Sequence, residues 1–221
     1  MTYEEIKGEL KALGNEKWRQ IYSKFGEGED HYGVKMGDLR VLAKKIKPDQ
    51  DLAAKLWDCG NVDAMLLSTL IVKPKSLSLI DLEQMVGKIT YSHVADWFGS
   101  YVLKLHPDRE FLRTKWMDSK HEWTARMGWS LTAERVVKSP EGLDLKGLLD
   151  RLETEMGQAP ANVQWTMNYV LAEIGINNPD LRPRAIQIGE KIGAFRDYPV
   201  SKGCTSPYAP IWIAEMVKRQ N

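Results

Sequence analysis

Apolar residues recur along most of the chain at steps of three and four, the spacing that gathers them on one side of an α-helix. Few stretches alternate in the two-residue rhythm of a strand. Turn-forming clusters interrupt the helical pattern at short intervals: GEGEDHYG, KPDQD, CGN, VKPKS, HPD, KSPEG, GQAP, INNPD and GCTSPYAP. The segments between them are roughly ten to eighteen residues long and carry Asp, Asn or Ser where a helix start needs a cap. SPEGLDLKGLLDRLETEM puts Pro140 in a first turn, acids early, and leucines at helical spacing. In the tail, Pro207 is placed to start a terminal helix from Tyr208. The pattern predicts an all-α fold.

One kind of helix repeats. NVDAMLLSTLIV (61–72), HVADWFGSYVLK (93–104), EWTARMGWSLTA (122–133) and NVQWTMNYVLAE (162–173) each follow a turn, begin polar and then run apolar. Each is preceded by an amphipathic helix: QDLAAKLWD, SLIDLEQMVGKI, DREFLRTKWMD and LKGLLDRLETEM. The period is roughly thirty to forty residues. A helix pair of this kind cannot cover its own apolar face, so neighbours stack into an α-solenoid whose second helices line one side of a curved array. The expectation is a curved single domain over 1–221, with 194–221 forming a C-terminal loop and terminal helix. In this alignment Asp63, Asp96, Arg126 and Asn168 take nearly the same register on four successive inner helices, which predicts a row of polar groups along one concave groove.

Composition narrows the classes. With 221 residues, 43% hydrophobic and 28% charged, the chain has enough apolar material for a large core. No apolar run approaches a membrane span, and MTYEEIKGEL lacks the basic start and apolar middle of a signal peptide, so a cytoplasmic location is expected. A net charge of +1 excludes a simple polycation. It permits a basic face, because acidic EGEDH stands apart from basic KKIKPD and the terminal VKRQN. Cys59 and Cys204 are too few for a disulfide framework, and Cys204, with Lys202 two residues earlier, has no partner histidine for nucleophilic work. His31, His93, His106 and His121 show no ligand spacing; neither a metal nor a cofactor is expected.

The candidate chemistry sits on the repeated helices. Asp96 lies between Ala95 and Trp97 and shares a helical face with Ser92, His93, Gly99 and Ser100. Val94, Phe98, Tyr101 and Leu105 form the opposite, core-facing stripe, and Trp97 lies between the two. Asp96 is open to three readings: a solvated polar face, a charge on the helix dipole, or a working carboxylate above space left by Gly99. Arg126 falls between Trp123 and Trp129, a frame that suits phosphate or base-plane contact and equally suits a buried pair with a neighbouring repeat. Trp165, Asn168 and Tyr169 share a further inner helix, where Tyr169 offers a ring to a sugar and a hydroxyl to a phosphate, or simply packs.

HYGVKMGDLRVLAKKIK, LAAKLWDCGNVDAMLLSTLI, KWMDSKHEWTARMGWSL and NVQWTMNYVLAEIGINNPDLRPRAIQIGEKIG, in this order and spacing, resemble the bacterial AlkD-type DNA alkylation repair proteins from about Lys17 to about Gly193. The resemblance implies HEAT-like repeats whose concave face holds duplex DNA, in a monomer. It also implies, for active members, glycosylase release of cationic N3- and N7-alkylpurines without base flipping. Such a purine is already a good leaving group, so the protein needs only to stabilise the sugar as it becomes an oxocarbenium ion.

The family's active members place a tryptophan and, four residues on, an aspartate on one inner helix, an arginine on the next and a tryptophan on a third. In this chain those positions are Ala95, Gly99, Arg126 and Tyr169. Asp96, one turn from Gly99, is then the candidate catalytic carboxylate. His93 and Trp97 are its candidate wall, and Arg126, Tyr169, Trp123, Trp129 and Asn168 the candidate DNA contacts. Loss of an electrostatic stabiliser typically costs on the order of a hundred- to a thousandfold in rate. Two other functions follow from the same residues: a catalytically silent binder of unusual DNA structures, or a helical-repeat adaptor for a protein ligand.

Overall fold

Every helix of the four repeated pairs is present in the computed structural model, which describes residues 1–24 and 30–220. The helices are α1 (Tyr3–Ala12), α2 (Glu16–Lys24), α3 (Met36–Ile46), α4 (Gln50–Asp58), α5 (Val62–Ile71), α6 (Leu79–Gly87), α7 (Ser92–Tyr101), α8 (Arg109–Met117), α9 (Glu122–Lys138), α10 (Leu145–Glu155), α11 (Ala161–Asn177), α12 (Arg182–Ile192) and α13 (Ala209–Gln220). Among the described residues there is no strand. None of these helices is long and apolar enough to cross a membrane. The turn GEGEDHYG lies partly outside the described residues.

Local chemistry sets the helix ends. Asp49 accepts from Leu52 N (3.0 Å) and Asn61 from Ala64 N (3.1 Å), while Ser78 and Asp81 form a reciprocal capping box at α6. Two expectations are corrected. Pro140 is not in a helical first turn: it accepts from Leu143 N in the preceding turn, and Asp144 caps α10 through Gly147 N. Leu105 is not a core residue. Helix α7 ends at Tyr101, the chain tightens into a 3-10 turn, and the helical phase is lost, leaving Leu105 55% exposed.

The chain divides into two compact units, Met1–Arg109 and Glu110–Asn221. In the first, α3, α4 and α7 pack against α5, which is buried along almost its whole length, and Trp57 meets Phe98 at 5.3 Å between ring centres. In the second, α9, α12 and α13 pack against α11 around Trp129, Leu149, Leu152, Met167, Leu171 and Ile188. Glycines permit the tightest approaches. A Cβ at Gly175 would stand 2.5 Å from Ile213 Cδ1, so the bare α11 backbone lets α13 seat on it.

Gly128 of α9 is more constrained still, because a Cβ there would enter the shell of Met117 N and stand 2.6 Å from Trp116 C, both backbone atoms of α8. Gly128→Ala is therefore expected to destabilise the second unit by about 1–3 kcal/mol or more, read as a lower denaturation midpoint with unchanged m-value.

Candidate functional site

In the first unit α7 presents a ladder of rings. His93 meets Trp97 edge-on at 6.0 Å and Trp97 meets Tyr101 at 5.2 Å, as i, i+4 neighbours on one helical face do. Tyr22 of α2 closes on His93 at 5.9 Å. Arg40 reaches over from α3: its guanidinium lies 4.8 Å above the Trp97 ring and its Nε donates to Tyr101 Oη at 3.2 Å. Trp97 is thereby buried, while Asp96, its neighbour in sequence, is exposed. Gly99 is buried too. Burial pushes the His93 imidazole below its ordinary value of 6.5; the Asp96 carboxylate opposes that shift and the Arg40 charge adds to it.

The polar residues aligned by register meet different fates. Asp63 is buried and accepts from Tyr32 N (2.6 Å) and Val34 N (3.0 Å), tying the loop before α3 onto α5. Desolvation raises its carboxyl above the ordinary range, with the two amide bonds pulling the other way. Arg126 is 2% exposed; its Nη1 donates to the Asn162 carbonyl (3.0 Å) at the start of α11, where Glu122 also holds the Asn162 amide. Asn168 is buried, and its Nδ2 donates to the Pro207 carbonyl (2.8 Å) ahead of α13. Three of the four thus hold backbone; Asp96 alone reaches solvent. The expectation of open polar groups is corrected for Asp63, Arg126 and Asn168: side chains sunk among packed helices bond to the nearest unpaired backbone groups.

Around Arg126, Trp123 is half-buried with the guanidinium 6.0 Å from its ring centre, whereas Trp129 is buried beneath Arg151 at 5.2 Å. Tyr169, 37% exposed, stands edge-on to Trp212 at 4.6 Å. Trp165, one turn away, joins Phe195 and Tyr198. Sequence reasoning missed Arg40, Tyr22 and Trp212 because their partners lie far along the chain. The basic, exposed character of α3 was the available signal for Arg40. A cleft of about 280 Å³ between α4 and α6, walled by Trp57, Asp58, Asp81 and Lys88, includes no residue of α7.

A family description, DNA alkylation repair enzyme, matches residues 6–213. The chain belongs to the DNA alkylation repair enzyme family. It is 27% identical to the uncharacterized protein Lin0241 of Listeria innocua and 26% identical to Lmo0209 of Listeria monocytogenes, in each case over all of this chain and 98% of the relative. A solved structure also superposes over the whole chain and 95% of its own, with a TM-score of 0.83 and 25% identity. That structure is described as a new family of proteins related to the HEAT-like repeat DNA glycosylases with affinity for branched DNA structures. The HEAT-like fold is therefore that of this family member.

Proton NMR titration of His93 should give a pKa below 6.5, lowered further by Asp96→Asn and raised by Arg40→Ala. A depressed folded value means that the unfolded chain binds the proton more readily. The contribution of His93 to stability is therefore complete above 6.5 and is lost as pH falls below that through the folded value.

Proposed function

We propose that this protein binds DNA and prefers branched or otherwise unusual duplexes to regular ones. The observation that carries the reading is the full-length likeness to a protein with affinity for branched DNA, in a family devoted to alkylated DNA. Charge supports it: Lys35, Arg40, Lys44, Lys45 and Lys47, in and beside α3, are exposed, and among the described residues none of them is in an ion pair with a carboxylate. Exposed surface cations favour phosphate contact through release of counterions. A four-way junction should bind more tightly than a linear duplex of the same length. With about four phosphate contacts, both affinities should fall roughly a hundredfold between 50 and 200 mM salt. Salt-insensitive binding, or equal affinity for the two DNAs, contradicts the proposal.

Base excision is a second reading, favoured by one observation: Asp96 is an exposed carboxylate on the α7 helix that bears the His93–Trp97 ladder. In this reading Asp96 stabilises the oxocarbenium-like sugar of a cationic alkylpurine nucleotide and orients water. Duplex carrying 7-methylguanine should then lose the base in the presence of the protein, and Asp96→Asn should slow release by on the order of a hundredfold. Release that is equal in both removes Asp96 from catalysis, and release absent from both leaves binding as the function.

A further inference from the structure

We infer that the aromatic cluster formed by Trp165, Tyr169, Phe195, Tyr198 and Trp212 is a stacking platform for an unpaired nucleobase, an inference that rests on the DNA-binding reading above. Trp165 and Tyr169 stand one turn apart on α11, 6.0 Å between ring centres. Phe195 meets Trp165 edge-on at 5.1 Å and 85°, Tyr198 lies 5.5 Å from Trp165, and Trp212 of α13 meets Tyr169 edge-on at 4.6 Å and 89°. Such rings would normally be sealed in a core. Here Tyr169 is 37% and Tyr198 44% exposed, and Trp165, Phe195 and Trp212 are only half-buried.

The loop that supplies two of the rings is held, at a cost. Phe195 has φ 62°, the left-handed region that a phenylalanine rarely enters and that persists only where surrounding contacts enforce it. The contacts are present: Gly193 ends α12 in the same region, Tyr198 N donates to Phe195 O (3.2 Å), and Arg196 Nη2 donates to Glu190 O (3.1 Å). Arg196 also lies over the Tyr208 ring at 5.4 Å. The strained loop therefore carries its rings preorganised, which lowers the ordering cost of binding a flat ligand.

The ligand class follows from shape and charge. Edge-to-face rings with two half-exposed phenols offer π-faces to a planar partner, and every nucleobase has such a face. In the segment 194–221, which supplies three of the five rings, Arg196, Lys202, Lys218 and Arg219 outnumber Asp197 and Glu215, which favours a ligand tethered to phosphate. Regular duplex hides its base faces. Branch points and single-stranded arms expose them, so the platform would convert general DNA affinity into preference for branched forms.

The test compares a forked DNA bearing single-stranded arms with a fully paired duplex of equal length. Wild type, Tyr198→Ala and Tyr198→Phe are measured, each first checked for an unchanged unfolding midpoint. Tyr198→Ala should bind the fork about tenfold more weakly and the duplex within about twofold of wild type, while Tyr198→Phe keeps fork affinity. Wild-type duplex binding with no loss on the fork, or with equal losses on both DNAs, overturns the platform and leaves DNA binding standing. Failure of the wild type to bind either DNA overturns both.

Discussion

Helices buried on nearly every side leave a polar group two choices: bond to backbone, or stand where the helix meets solvent. That constraint sorts the inner helices of this protein. Asp63 on α5 takes two amides from the loop before α3, Arg126 on α9 takes a carbonyl at the head of α11, and Asn168 on α11 takes a carbonyl ahead of α13. Each fixes an inner helix to the start of another helix in the same unit. Asp96 occupies the equivalent register on α7 but is exposed.

The difference lies in what covers α7. Trp97 is covered by Arg40, which also bonds to Tyr101 and so ties α3 to the aromatic ladder. Asp96 is exposed, and its carboxylate acts on the half-buried His93 imidazole one turn earlier. The exposed cations of α3 and the half-exposed rings around Trp165 are surfaces suited to phosphate and base faces respectively.

Much of the fold was legible in the sequence because helical period and turn chemistry are local. The four helix pairs, the caps at Asp49 and Asn61, and the terminal helix beginning near Tyr208 all follow from neighbouring residues. Burial was less legible. A helical wheel assigns Asp63, Arg126 and Asn168 to a polar face, but cannot show that a loop, a helix start or a tail segment will supply backbone groups there. Leu105 failed for the opposite reason, since one 3-10 turn shifts every later position off its stripe. Residues such as Arg40 and Trp212, whose partners are distant in the chain, leave no periodic trace.

The central claim, that three of the register residues are scaffold and the fourth is surface, is tested most directly by thermal unfolding of Asp63→Ala, Arg126→Ala, Asn168→Ala and Asp96→Ala. The first three should lose about 4–10 °C, since each leaves buried backbone groups unsatisfied. Asp96→Ala should stay within about 2 °C of wild type. A loss at Asp96 equal to the others, or none at Arg126, would contradict the account.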